Sequence, residues 1–80
     1  MKIGTTIKKT NRSVNRTYLY RVEKVQIIKL GSGKNLEFYW GLRVHKNGSV
    51  DARGNGGGGI LKVICDDKAL AKGRNFEVVK

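Results

Sequence analysis

Residues 36–53, LEFYWGLRVHKNGSVDAR, carry the clearest structural pattern in the chain. The first part of this stretch alternates between two sets of side chains without a slip. The apolar set is Leu36, Phe38, Trp40, Leu42 and Val44. The alternating set is Glu37, Tyr39, Gly41, Arg43 and His45. A period of two is typical of a β-strand with one buried and one solvent-exposed face, so we expect the apolar set inward and the other set in solvent.

A turn follows this strand, where an Asn-Gly pair interrupts the alternation. A two-residue loop would place Val44 opposite Asp51, so that a core side chain would face a charge. A three-residue loop over residues 46–48 places Val44 opposite Val50 instead, and both faces of the hairpin then match. We therefore predict a type I turn closed by a G1 bulge, with Gly48 in the left-handed conformation.

The same register organises the exposed side of the hairpin. It sets His45 opposite Ser49 and Arg43 opposite Asp51, which are oppositely charged. We expect a second strand to begin with residues 50–52, so that the whole stretch forms a β-hairpin.

The length and the spacing of apolar segments predict the fold class. Residues 1–80 form a single small basic domain, because the chain has no room for a second core. Short segments separated by Gly-rich turns favour a mainly β fold. We predict a small antiparallel β-barrel or strongly curved sheet of five or six strands, with at most one short helix. The alternative is an α+β sheet in which residues 17–30 include a helix.

The N-terminal part combines a weak strand pattern with a polar, basic segment. Residues 2–9 alternate weakly, which predicts a short edge strand with Ile3 and Ile7 inward. Lysines suit an edge because they discourage pairing with another chain. Residues 8–17 have almost no apolar anchor and predict an exposed loop or arm. Their Asn, Ser, Thr, Arg and Lys side chains are types that hydrogen-bond phosphates.

Residues 17–30 form the longest apolar-rich run. Its apolar side chains fall into two phases, the first containing Tyr18, Tyr20 and Val22 and the second Val25 and Ile27. A bulge at residues 23–24 would join the two phases in one strand. Helical spacing fits some of the same positions, but β-branched and aromatic residues favour a strand. With the Gly-containing loop at residues 31–35, the run predicts a second hairpin over residues 17–46.

The glycine-rich segment at residues 54–59 holds five of the eleven glycines. It differs from a nucleotide-binding P-loop, because no Lys-Ser or Lys-Thr pair follows its last glycine. We interpret it as a hairpin tip, with a loop that orders against an anion as the alternative.

The C-terminal part predicts a strand, a helical turn and a last strand. Residues 60–65 are apolar enough for a strand. Asp66 or Asp67 can then cap a helical turn that stops at Gly73. Residues 75–80 close the chain as a strand. The side chains that we expect inward in this last strand are Phe76 and Val78.

Cys65 is the only cysteine, which excludes an internal disulfide and offers no metal-binding set. Its apolar surroundings predict a buried thiol, and a reducing compartment suits it.

No apolar segment approaches the roughly 20 residues of a membrane span, and the N-terminus resembles no export signal. We therefore expect a cytoplasmic protein with no membrane partner, no metal and no cofactor.

Positive charge dominates the composition and predicts an acidic partner. Seventeen Lys and Arg residues oppose six Asp and Glu residues, for a net charge of +11. A small domain needs a net charge of only about 2–8 for solubility. RNA is the partner that we predict, with DNA second and an acidic protein surface as the alternative. A chain this small buries roughly 60% of its unfolded surface, so we also consider support from a partner copy in a homodimer.

The alternating set of residues 36–45 suggests how RNA would bind. Gly41 leaves a gap between Tyr39 and Arg43 in which a base could stack. The alternative is that Gly41 allows close backbone approach. The predicted nucleic-acid-binding residues are Lys8, Lys9, Arg12, Arg16, Arg21, Lys34, Tyr39, Arg43, His45, Lys46 and Arg53.

Catalysis is a less favoured interpretation of the same residues. A ribonuclease could use Glu37 as base, His45 as acid and an arginine for the phosphate. These two residues are eight positions apart, which is about 26 Å along an extended strand, too far for one scissile phosphate. We predict a non-enzymatic RNA-binding protein. The first alternative is a protein-interaction module or inhibitor, such as a phage-type accessory protein, and the second is a small ribonuclease.

Overall fold

The structure is a computed structural model that describes residues 1–53 and 59–79. Within these ranges the elements are β1 (Thr6–Asn11), β2 (Arg16–Lys29), β3 (Asn35–Val44), β4 (Lys62–Asp66), α1 (Asp67–Lys72) and β5 (Phe76–Val79). The strands form one antiparallel sheet in the order β4-β3-β2-β1-β5. The sheet is open, since β4 and β5 form its two edges and do not pair. The predicted mainly β fold with one short helix is confirmed. No helix in the described ranges has the length and apolar character to span a membrane.

Strand β2 is continuous through the long apolar run, so the helical alternative for residues 17–30 is wrong. The register between β2 and β3 shifts between Val22 and Lys24, where we predict a bulge. The extra residue brings Val25 to the same face as Val22, because a bulge resets the alternation of a strand. Val25 is therefore placed to pack against the core. The predicted hairpin formed by β2 and β3 is also confirmed.

The core lies on the sheet face that α1 covers. It is formed by side chains from four neighbouring strands, namely Ile7, Val22, Tyr39 and Cys65. Ala69 and Leu70 of α1 pack against this cluster. Removing such apolar surface from water stabilises a fold by about 25 cal/mol per Å². The helix is short, yet it closes the core because its apolar residues meet the centre of the sheet.

The predicted orientation of β3 is wrong at its centre. Tyr39, which we expect in solvent, is only 4% exposed, and Gly41 is buried as well. Four of the five side chains expected inward are only half-buried, namely Leu36, Phe38, Trp40 and Leu42. The fifth, Val44, is buried as predicted. The alternation is real, but α1 packs on the face that carries Tyr39, and a strand pattern cannot report where a helix will dock.

The opposite face of β3 forms a second, partly buried layer. Trp40 is its largest member, and its Nε1 donates a hydrogen bond to Oε1 of Gln26 at 3.0 Å. The Lys24 ammonium lies 5.4 Å from the centroid of the Trp40 ring. Phe38 lies opposite Gln26 in the register. Polar side chains of β2 therefore cover part of the apolar stripe that the sequence predicts as core.

Strand β1 lies inside the sheet, bonded to β2 on one side and β5 on the other. The predicted edge position is therefore wrong, because the last segment of the chain returns to pair with β1. Ile7 is fully buried as predicted, whereas Ile3 is 66% exposed and precedes the strand. Lys8 and Lys9 belong to β1. Of the arm predicted at residues 8–17, only the turn at residues 12–15 and the first residues of β2 are exposed.

The turn after β3 has the predicted geometry. The backbone N–H of His45 donates to the carbonyl of Ser49 at 2.9 Å, and the N–H of Gly48 donates to the carbonyl of His45 at 2.9 Å. Gly48 has φ +88°, in the left-handed region. Val44 and Val50 form a bridge. The three-residue loop with a G1 bulge is confirmed.

The strand predicted to follow this turn does not form. Val50 makes one isolated bridge, and no strand covers residues 51–53. Most of the glycine-rich segment, residues 54–58, lies outside the described residues, so its predicted hairpin tip does too. Strand β4 begins later than the predicted strand at residues 60–65, with Lys62.

The short helix is capped as predicted. The carboxylate of Asp66 accepts a hydrogen bond from the N–H of Ala69 at 2.7 Å, and Gly73 ends the helix with φ +65°. Phe76 is half-buried against the core, as expected. Val78 lies on the predicted inward face, but it is 39% exposed rather than buried. It lies opposite Ile7 in the register, but β5 is an edge strand without an outer neighbour in the described ranges.

Candidate nucleic-acid interface

A surface cavity of about 330 Å³ lies at the end of the sheet where β3 enters its turn. We call it the hairpin cavity. Its lining comprises Lys8, Thr17, Tyr18, Leu19, Arg43, Val44, His45, Lys46 and Asp51. Three strands meet here because Leu19 of β2 lies opposite both Lys8 of β1 and Val44 of β3. The cavity thus joins four of the predicted binding residues, namely Lys8, Arg43, His45 and Lys46.

The centre of the hairpin cavity is a cation held on an aromatic ring. The guanidinium carbon of Arg43 lies 4.2 Å from the centroid of the Tyr18 ring. Nε of Arg43 is 3.5 Å from Oδ2 of Asp51, and the Arg43 side chain remains 34% exposed. Ring and carboxylate together fix the orientation of the guanidinium, which stays within reach of a ligand.

Tyr18 is the tyrosine of the hairpin cavity, and it is absent from the predicted binding set. The sequence assigns the aromatic role to Tyr39, which is buried in the core. Tyr18 has the same strand phase as Val22, a core residue, so the alternation does not indicate that Tyr18 lies at the surface. Its place directly after the polar segment at residues 8–17 is the one available signal in the sequence.

Tyr20 supports the cavity from the neighbouring position. It lies opposite Arg43 in the register of β2 and β3. Burial raises the pKa of Tyr20 above its usual value, and the positive charge of Arg43 opposes this only in part. The phenol therefore remains neutral at physiological pH.

The gap predicted beside Gly41 is closed. A Cβ at Gly41 would lie 2.0 Å from the carbonyl oxygen of Arg21 and 2.7 Å from Cδ1 of Ile64. The hypothesis of a base stacked in this gap is therefore wrong, and close backbone approach is the correct interpretation. Burial raises the pKa of the Tyr39 phenol next to this position, with the carboxylate of Glu37 adding to the shift.

The remaining predicted binding residues do not join one site. Arg21 is engaged within the fold, with Nε paired to Glu23 and Nη1 donating to the carbonyl of Gly48 at 3.2 Å. Lys34 lies in the loop between β2 and β3, at the opposite end of that strand pair. The others outside the hairpin cavity are Lys9, Arg12, Arg16 and Arg53.

Lys9 and Arg12 lie beside the start of β5. The Lys9 ammonium is 5.8 Å from the centroid of the Phe76 ring. Nη2 of Arg12 donates to the carbonyl of Arg74 at 3.0 Å. Lys8 and Lys9 contribute to different cavities, because adjacent residues of a strand alternate between its faces.

Most basic side chains of the described residues have no carboxylate partner. Ion pairs in these ranges join Lys8 to Glu77 at 2.6 Å, Arg21 to Glu23, and Arg43 to Asp51. The fold thus leaves a large positive charge on the surface, which repels itself and attracts anions. The described residues contain no group of three or more His, Cys, Asp or Glu side chains that could hold a metal ion.

No protein-family model, curated protein or solved structure matches this chain.

Proposed function

We propose that this protein is a non-enzymatic RNA-binding protein and that the hairpin cavity is part of its binding surface. The observation that carries the proposal is the stacking of Arg43 on Tyr18 in a cavity that Lys8, His45 and Lys46 also line. Cations of this kind bind phosphates, and an aromatic ring paired with a guanidinium offers a stacking surface to a base.

The preference for RNA over duplex DNA follows from the shape of the protein. The major groove of duplex DNA admits an α-helix that reads the base edges. The helix α1 has six residues, and Ala69 and Leu70 pack against the core. Unstacked bases of an RNA loop or end can instead reach a surface cavity. The free thiol of Cys65 fits a reducing compartment, so we place this activity in the cytoplasm.

The first test measures binding of a labelled single-stranded RNA to the protein at several salt concentrations. Phosphate contacts release counterions, so the logarithm of the association constant should fall linearly with the logarithm of salt concentration. With about six contacts the expected slope is near −4. Absence of RNA binding at low salt, together with binding to an acidic protein, would overturn the proposal in favour of a protein-interaction module.

A matched pair of variants places the contact. Lys46→Ala removes a charge from the hairpin cavity, and Lys29→Ala removes one from the far end of β2. Both side chains are exposed, so neither change should alter the melting temperature. We expect Lys46→Ala to reduce the salt slope by about 0.7 and Lys29→Ala to leave it nearly unchanged. Equal effects of the two variants would exclude the hairpin cavity as the contact surface.

A further inference from the structure

A second basic groove runs along the start of β5. It consists of three adjoining cavities of about 480, 250 and 340 Å³, all of which border Asn75 and Phe76. We call it the β5 groove. It begins between α1 and β5 and continues to the turn that joins β1 to β2. It shares no lining residue with the hairpin cavity.

Backbone contacts hold the two walls of the β5 groove together. The N–H of Thr10 donates to the carbonyl of Asn75 at 2.8 Å. The side chain of Arg12 reaches across to the carbonyl of Arg74 at 3.0 Å. The Cα atoms of Lys9 and Phe76 are partners in the antiparallel register. The groove is therefore built on paired strands, which hold its side chains at defined distances.

The charge in the β5 groove is strongly positive. The cations that line it are Lys9, Arg12, Lys68, Lys72 and Arg74. The carboxylates in the lining are Asp66, which caps α1, and Glu77, which pairs with Lys8 at 2.6 Å. None of the five cations belongs to an ion pair within the described residues. The groove therefore attracts an anion that brings several negative charges.

Phe76 gives the β5 groove a stacking surface. Its ring borders all three cavities and is only half-buried. The Lys9 ammonium lies 5.8 Å from the ring centroid. The largest cavity is within the range of about 300–1,000 Å³ that ligand sites occupy. Aromatic rings between cations are the arrangement by which small β domains bind single strands.

We propose that the β5 groove binds a single-stranded segment of RNA, with one base against Phe76 and phosphates at the cations on either side. A single strand fits better than a duplex, because a paired base is stacked inside its helix and cannot lie on the ring. Arg12 lines the cavity that reaches the turn after β1, and Lys72 lines the cavity beside α1. Arg74 lines the cavity beside α1 and a second cavity that Arg12 also borders. The inference rests on the proposed function and adds a second contact surface and a strand preference to it.

The test uses the full chain and a fluorescein-labelled oligouridylate of about 12 nucleotides, a length within the range of known single-strand sites. Phe76→Leu keeps an apolar side chain of similar size but removes the aromatic face. We expect this variant to bind the oligouridylate about fivefold more weakly or worse, with little change in salt slope. Its affinity for a duplex RNA of equal length should not change.

A double variant tests the phosphate contacts independently. Lys72→Ala with Arg74→Ala neutralises two exposed groove cations, and Lys2→Ala with Lys29→Ala is the matched control outside both surfaces. The groove variant should lower the salt slope by about 1.4, and the control should leave it nearly unchanged. Melting curves of all variants establish whether each one is folded. Should Phe76→Leu fail to fold, the double variant decides the question alone.

The outcomes separate this inference from the proposed function. Wild-type affinity in the folded Phe76→Leu variant, or equal effects of the groove and control variants, would overturn the β5 groove. If Lys46→Ala still weakened binding in that case, the hairpin cavity and the proposed function would stand. A wild-type chain that bound no RNA at low salt would overturn both.

Discussion

Tyr39, Gly41 and Arg43 share one face of β3, but the middle of this face belongs to the core and its end lies at the surface. Tyr39 lies in the core cluster against which α1 packs, and a Cβ at Gly41 would meet Arg21 and Ile64, so the structure leaves no space for a ligand there. Arg43, two residues further on, lines an open cavity and stacks on Tyr18. The alternation predicts the same solvent-exposed face for all three positions. A strand pattern therefore predicts which residues share a face, but not where along the strand that face is covered.

The cause of the difference lies in what packs on each end. The residues that follow β4 form α1 and place Ala69 and Leu70 over the core cluster. At the other end β3 turns back at the hairpin, and no helix in the described ranges reaches Arg43. This face of β3 therefore passes from a covered region to an open one within a few residues.

Adding a side chain at Gly41 should have the strongest effect of the three changes. Gly41→Ala would put a Cβ 2.0 Å from the carbonyl oxygen of Arg21, so β2 and β3 would have to separate. We expect a loss of at least about 4 kcal/mol and an unfolded chain at room temperature. Gly31→Ala is the control, because a Cβ there meets nothing within 4 Å. Circular dichroism melting curves measure both, and a Gly41→Ala curve like that of the wild type would contradict the close approach.

The second effect compares the tyrosines at the two ends. Tyr39→Ala should cost about 3–5 kcal/mol in the free energy of unfolding, because it leaves a cavity in the core. Tyr18→Ala should cost only about 1 kcal/mol, since it removes one cation–π contact at the surface. It should nevertheless weaken RNA binding, and Tyr18→Phe should retain most of the affinity.

Denaturant titrations and RNA binding curves of the same samples measure this pair. A Tyr18→Ala variant as unstable as Tyr39→Ala would show that the open end is part of the core. A stable Tyr18→Ala variant with unchanged affinity would remove Tyr18 from the binding surface.

The smallest of the three effects is a pH dependence at the closed end. Burial, and to a lesser extent the charge of Asp66, raises the pKa of the Cys65 thiol from 9.0 to about 11. Between these two values the unfolded chain loses the proton and the folded chain keeps it, so stability must fall as pH rises. The contribution of the protonated Cys65 thiol to the free energy of unfolding is complete below pH 9 and is lost by about pH 11. We expect a decline on the order of 2 kcal/mol over that window.

Cys65→Ala isolates the contribution of the thiol. The variant should lose less stability than the wild type between pH 9 and 11. Some decline should remain, because burial also raises the pKa of Tyr39. Denaturant titrations at several pH values make the comparison, and parallel profiles for the two proteins would rule out a buried thiol with a raised pKa.

Local features of the fold are predictable from the sequence because they depend on neighbouring residues. The turn at residues 46–48 needs a left-handed Gly48, and its register follows from matching two faces. The bulge at residues 23–24 follows from a change of phase within one strand. The cap at Asp66 and the stop at Gly73 follow from helix-end preferences.

The candidate interface is less predictable because it depends on distant segments. Lys8, Arg43, His45 and Lys46 are predicted binding residues that do meet. Their meeting with Tyr18 depends on pairing of β1, β2 and β3. The cations of α1 and the residues after it are absent from the predicted set, since nothing local links them to Phe76 or to Arg12.

The excess of positive charge, the helix caps, the turn at residues 46–48 and most of the strands can be read from the amino-acid sequence, although the strand predicted at residues 50–52 does not form. These properties come from backbone preferences and from side chains close together in the chain. Packing between distant segments sets which face of β3 is core, where β1 lies in the sheet, and which cations share a groove. Each of these depends on where α1 and β5 pack after the chain has returned across the sheet. Burial is a property of that packing, so a periodic pattern can divide residues into two faces without identifying the one that meets the helix.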